Sequence, residues 1–377
     1  MPRLIFANQL RGLAALSVLG SHLVGVYWGM SGFVALATAT PVQDGSPPAA
    51  LYAVFHQSWL EFGPLGVGVF FLISGLVIPV SLEQHSRTSF LLARTLRIYP
   101  TYVAALLLEM AVLHACAAWW EKPFPYGDWT IVANALLIQD LVDVPTVDLV
   151  NWTLCIELKF YLLAALLAGP IRRGSLAAVF AVPAAVLAGN LLAGWAPVSG
   201  LIGRPDLIDG LGTEAVFVVL MMVGVLFHMR WRSRLERPAF FVALAAMTAL
   251  FALCWWFSPL RGQTTYILPN YFYALSVFGV MFALRGRFRP VRLLDAAAAI
   301  SFPLYLVHAL VGYSVLKALT LGAGLGYLPS LAAAVCAALA LAAVLHVAIE
   351  QPTSALGRSL AKRRGIDPSL LAADLRP

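Results

Sequence analysis

Arg11 and His22 carry the most legible chemistry in the chain. They stand eleven residues apart in the first apolar segment. On a helix that is about 16 Å of rise and about 20° from a shared face. An imidazole in such a segment can take a proton from a weak nucleophile or act as the nucleophile itself. A guanidinium binds phosphate or carboxylate through paired hydrogen bonds. At this separation Arg11 cannot touch His22 alone, so it serves a phosphate or a carboxylate elsewhere. Arg94 and Arg97 are i,i+3 and face the same way. Their plain alternative is a pair of snorkelling cations. Pro100 is expected to reset the chain near the interface.

Other polar residues fall in apolar segments. Glu157 is two residues from Lys159. The two therefore do not face each other, and Glu157 needs a partner from another helix. Ser301, Tyr305 and His308, at i, i+4 and i+7, form one polar stripe. An unpaired ionisable group at mid-membrane costs ~2.5 kcal/mol or more, so each is a functional candidate. Glu350 is expected at a cytoplasmic helix end, as a surface residue or as the cap partner of an arginine. His56, His85, His114, His228 and His346 have no spacing that suggests a site and read as interfacial or loop residues. Glu109 and Glu214 lie in or near apolar segments with no evident role. The four cysteines are scattered through apolar stretches without a CxxC, so no disulfide framework or thiolate metal site follows. A haem would want two histidines matched in depth on paired helices, and the pattern around His22 and His308 does not call for one. P-loop, HExxH and GxSxG patterns are absent.

The elements that must position these residues follow from composition. Of 377 residues, 61% are hydrophobic and 11% charged, which is too little charge to coat a soluble globule. Disorder is excluded on the same ground. The apolar runs are continuous and about twice the ~10 residues of a barrel strand, so the fold class is all-α, a polytopic membrane protein. Ten segments are expected to span, at about 8–30, 60–81, 98–118, 152–169, 175–194, 213–229, 239–257, 267–284, 297–319 and 328–349. The fourth and fifth are joined by a tight turn with breakers at both ends, from Gly169-Pro170 to Gly174. Gly66, Gly68, Ser74 and Gly75 permit close helix packing in the second. A single transmembrane domain covers 1–355, followed by a short basic tail, 356–377.

Charge orients the chain. Twenty of the 25 basic residues fall in loops on the side of the N-terminus, and the opposite loops lean acidic. The positive-inside rule and the even number of spans both place the two termini in the cytoplasm. The net charge of +7 thus reflects topology and does not imply a nucleic-acid partner. The longest outer loop, about 119–151, contains a candidate interfacial helix from Trp129 to Leu141. The N-terminal apolar run is longer than a signal-peptide h-region, and Arg11 lies too far in for cleavage to be expected.

The landmarks, in order, resemble the bacterial membrane acyltransferase-3 family, which includes O-antigen and other polysaccharide O-acetyltransferases. The matching pieces are Gln9-Leu10-Arg11-Gly12-Leu13 with His22, then Gly66-Val67-Gly68-Val69-Phe70-Phe71 with Ser74-Gly75, and Arg94 with Arg97-Ile98-Tyr99-Pro100. They continue with Asn151-Trp152-Thr153-Leu154-Cys155-Ile156-Glu157 to Phe160-Tyr161, Ser301-Phe302-Pro303-Leu304-Tyr305 with His308, and Glu350-Gln351-Pro352. The resemblance covers about residues 4–355. The chain departs from the pattern at Lys159, where Gln or a small residue is usual, and at Asn151, where Ser is common.

The resemblance implies an acyl-CoA donor, most often acetyl-CoA, whose phosphates Arg94 and Arg97 are placed to meet from the cytoplasmic side. It implies an acceptor that is a glycan or lipid-linked sugar at the outer face of a bacterial inner membrane, with membrane lipids around the chain and no metal. An alcohol is a poor nucleophile, so the transfer needs a base. His22 is the expected base or transient acyl carrier, with Glu157 beside it as the second catalytic candidate. Arg11, Ser74, Trp152, Tyr305 and His308 are expected to bind or polarise substrate. The competing class is a transporter or lipid-handling protein without acyl chemistry. Such proteins often show internal repeats, and none is visible here.

Overall fold

A computed structural model describes residues 4–55, 57–194 and 205–363, the side chains of 205, 362 and 363 excepted. His56, Arg204 and the last part of the expected basic tail, 364–377, lie outside the described residues. Among the described residues there are helices and no strands, as the composition requires. The elements used below are α1 (Ile5–Gly29), α2 (Phe62–Gln84), α3 (Arg87–Trp119), α4 (Asp128–Ala135), α5 (Trp152–Leu166), α6 (Leu176–Ala193), α7 (Pro205–Trp231), α8 (Arg237–Trp256), α9 (Leu268–Ala283), α10 (Arg292–Ala299), α11 (Ser301–Val307), α12 (Leu310–Gly322) and α13 (Tyr327–Ala361).

All ten apolar segments become helical. Among the described residues, seven helices are long and apolar enough to cross a membrane, or eight if the bent pair α11–α12 is one span. The other two are α5, with 15 residues, and α9, with 16. At 1.5 Å per residue these cover about 22–24 Å, short of the ~30 Å hydrocarbon core. The expected ninth span is not one rod. It is divided into α10, α11 and α12, with a 53° bend between the last two, at His308 and Ala309. The tenth runs on past its expected end, so helix crosses the boundary at 355.

Two other local expectations change. Pro100 does not reset the chain: α3 runs unbroken for 33 residues with Pro100 inside it. Its start is set earlier, by Ser86, whose hydroxyl accepts from the Ser89 N–H at 3.2 Å. Arg94 and Arg97 therefore project from regular helix. Between α5 and α6, Gly169 and Pro170 lie in a helical turn, and only Gly174, at φ +72°, reverses the chain. The expected interfacial helix is present but shorter, as α4.

The second helix is the centre of the molecule, packed against α1, α7 and α9. Its closest crossing is with α7. A Cβ on Gly75 would stand 2.8 Å from the Gly224 Cα, and one on Gly224 would stand 2.8 Å from the Gly75 Cα. Backbones this close maximise van der Waals contact where lipid offers no hydrophobic drive between helices. The first helix carries a π-helical turn, Ser21–Val26, which interrupts the α-helical register and contains His22.

Candidate active site

Two cavities lie in the bundle, one beside Arg11 on α1 and one beside its later turns from Val18 to Gly29. One, of about 820 Å3, is walled by α1, α2, α3, α5 and α11 and holds Arg11, Ser74, Arg94, Arg97, Glu157 and Tyr305. The other, of about 1000 Å3, holds His22, Trp152 and Tyr305, with Glu61, Tyr266 and Tyr271. The structure thus divides the sequence candidates between an arginine cavity and a histidine cavity, with Tyr305 in both. His308 lines neither but packs against His22.

In the arginine cavity Glu157 finds its partners on two helices. Its Oε1 accepts from the Tyr161 hydroxyl at 2.5 Å and from the Ser74 hydroxyl at 3.3 Å. Arg94 lies over the rings of Tyr161 and Phe90, with its Cζ 5.4 and 5.5 Å from the centroids. Arg11 interacts electrostatically with Arg97, Glu157 and Arg94. Among the described residues none of the three arginines makes an ion pair. Three guanidinium groups beside one carboxylate leave an excess of positive charge, which favours an anion. Phe70, Phe71, Ile98 and Phe302 add an apolar wall, with Thr153 and Ser301 also facing the cavity.

In the histidine cavity the His22 ring stands 4.8 Å from that of His308 and stacks at 6.3 Å and 9° on Tyr313. The bend after α11 explains His308. A helix end leaves carbonyls without N–H partners. His308 Nδ1 lies 2.8 Å from the Tyr305 carbonyl and 3.1 Å from that of Leu304, so Nδ1–H donates there. That fixes the ring with Nε2 as the acceptor nitrogen. Both His308 Nε2 and His22 Nδ1 are buried without a hydrogen-bond partner. Two imidazoles with unspent nitrogens at one depth can accept, hold and return a proton.

The two departures from the family pattern have structural work. Lys159 pairs with Asp140 and with Glu214, away from Glu157, and this also accounts for Glu214. Asn151 is fully buried. Its Nδ2 donates to the Tyr102 hydroxyl and to Asn134 Oδ1, both at 2.8 Å, and its backbone N–H donates to Asp148 at 2.7 Å. It ties the long loop before α5 to α3 and to the start of α5.

Two residues depart from their expected settings. His228 is not in a loop but in the last turn of α7. It is fully buried, 3.1 Å from Glu83, which also pairs with Arg232 and with Arg234 at 2.7 Å. Glu350 is neither a surface residue nor an arginine cap. It is buried and paired with His346 at 2.6 Å, an i,i+4 spacing that was readable. Tyr161, Thr153, Tyr266 and Tyr271 join the two cavities without having been singled out. Thr153 and Tyr161 stand in the motif from Asn151 to Tyr161, whereas Tyr266 and Tyr271 carry no sequence signal.

A family model described as an acyltransferase domain matches residues 4–347. No curated protein and no solved structure matches the chain.

Proposed function

The chain belongs to the acyltransferase-3 family, and from that premise we propose that it moves an acyl group, acetyl first among the candidates, from acyl-CoA to a hydroxyl of an envelope glycan, glycolipid or lipid-linked sugar. One observation carries the reading: a cavity with three unpaired arginines and a cavity with His22 lie beside different turns of α1 and meet at one wall. A donor with phosphates at one end and a thioester at the other suits the first. Arg11, Arg94 and Arg97 hold the phosphates, and the thioester arm runs along Phe70, Phe71 and Phe302 toward Tyr305. Ser74 and Tyr161 keep Glu157 turned to the arginines, where it limits their mutual repulsion.

A hydroxyl acceptor enters the histidine cavity, where Trp152 and Tyr271 offer aromatic faces to a sugar ring. His22 takes the hydroxyl proton as the oxygen attacks the acyl carbon. The carbon–sulfur bond breaks, and the thiolate leaves and takes a proton. His22 can instead carry the acyl group transiently on its own nitrogen. His308 keeps the second imidazole beside the first. The arginine-rich face is cytoplasmic in this reading, and the membrane is the bacterial inner membrane.

The test uses purified protein, acetyl-CoA labelled on the acetyl group and a crude envelope glycan extract. Label is expected in glycan with wild type and absent with His22→Ala. Transfer that survives in His22→Ala removes His22 from the chemistry.

A further inference from the structure

Among the described residues, Val67 and Tyr305 are the side chains that line both cavities. Neither is loosely held. A Cβ on Gly66 would stand 2.8 Å from the Ala14 carbonyl oxygen, and one on Gly68 would stand 2.9 Å from the Tyr271 ring. The backbone on either side of Val67 is therefore pressed against α1 and α9, which fixes where its side chain points. Tyr305 is 8% exposed. Its ring meets Phe70 edge-on at 5.7 Å and lies 5.7 Å from the His308 ring. The Thr153 hydroxyl stands 2.9 Å from the Val150 carbonyl and 3.0 Å from the Tyr305 hydroxyl. Thr153 has one proton to give. Given to the carbonyl, it leaves Thr153 as the acceptor for Tyr305. The tyrosine is thus braced at its face and tied at its tip.

Acyl transfer at this wall has a competitor. Water in the histidine cavity can do what an acceptor hydroxyl does. Its oxygen bonds to the acyl carbon, the carbon–sulfur bond breaks, His22 takes the water proton, and the departing thiolate recovers one. A carboxylic acid and a free thiol result, and the donor is wasted. Resting on the acyltransferase reading above, we infer that Tyr305, with Val67, is a septum that withholds the thioester from water in the histidine cavity until an acceptor displaces the tyrosine ring. The ring is the barrier and the hydrogen bond to Thr153 is its latch. Tyr305 is a positioning residue in this scheme and makes no bond to the acyl group.

Three variants separate the parts. Tyr305→Ala removes ring and latch, Tyr305→Phe keeps the ring, and Val67→Ala opens the wall from α2. Thiol release from acetyl-CoA without acceptor is expected to rise about tenfold in Tyr305→Ala, to rise in Val67→Ala, and to rise by less in Tyr305→Phe, which loses the latch alone. His22→Ala placed on Tyr305→Ala should return it to background. Acceptor-free release that is no faster in Tyr305→Ala and Val67→Ala, with acetyl-CoA binding retained, overturns the septum. A second measurement does not depend on the donor. Ser74→Cys places a thiol in the arginine cavity, and a membrane-impermeant maleimide is added to intact spheroplasts. Labelling at residue 74, read by peptide mass, is expected in Ser74→Cys/Tyr305→Ala and not in Ser74→Cys alone. Equal labelling overturns the barrier. Labelling as expected, in a protein that neither binds nor consumes acetyl-CoA, overturns the donor reading while the barrier stands.

Discussion

Arg11, Arg94 and Arg97 bring three positive charges to a cavity that holds one carboxylate, Glu157. Their function is testable apart from the chemistry, because His22 lines a different cavity. His22→Ala is expected to lower turnover by roughly 10²–10⁴-fold and to leave donor affinity unchanged, as read by kinetics beside acetyl-CoA binding. Arg94→Ala with Arg97→Ala should do the reverse, raising the donor KM and weakening its dependence on salt. Asp148, in the long loop before α5, is fully buried and accepts from the Val150 and Asn151 N–H groups at 3.1 and 2.7 Å. Burial pushes its carboxyl up to about 7, against the pull of those two N–H groups. The folded chain therefore holds a proton that the unfolded chain has lost. That stabilisation is complete at low pH and disappears as pH rises from the ordinary carboxylate range through about 7. Wild type is expected to melt at progressively lower temperature between about pH 5 and pH 8, and Asp148→Asn to flatten that slope. The arginines and His22 are legible in the sequence because charge inside an apolar run is conspicuous. Their separation into two cavities is not, since helical spacing gives a face and a depth but not the neighbour that closes a wall.

At the scale of elements, the short α5 carries charge on two faces. Glu157 turns to the arginine cavity, and Lys159 turns to Asp140 and Glu214. Removing Lys159 leaves two carboxylates in low dielectric. Breaking a fully buried pair costs about 3–5 kcal/mol, and less is expected here because the Lys159 side chain is 31% exposed. Lys159→Met should lower the melting temperature, and Lys159→Arg should recover most of the loss. The crossing of α2 and α7 leaves no room for side chains, so Gly224→Leu is expected to cost about 1–3 kcal/mol or more, measured in the same melts. Sequence periodicity locates these helices well. It misses the π turn that contains His22 and the bend at His308, because neither changes which residues are apolar. It also places the start of α3 too late, because Arg94 and Arg97 make the helical turns before residue 98 too polar for an apolar-run criterion, although Ser86 caps them.

For the whole molecule, the asymmetry of arginine between loops predicts that both ends face the cytoplasm. A fluorescent protein fused after Pro377 should fluoresce in cells, whereas a periplasmic reporter at the same point should stay inactive. The all-helical class follows from 11% charge together with apolar runs too long and continuous for barrel strands. The number of crossings does not follow, because α5 and α9 are apolar enough to be noticed yet short for a bilayer. The two cavities overlap in only two described side chains, Val67 and Tyr305. That narrow overlap makes the molecule modular in an evolutionary sense. If the two cavities divide donor from acceptor as proposed, substitutions at Trp152 or Tyr266 would change what is decorated without disturbing a single arginine.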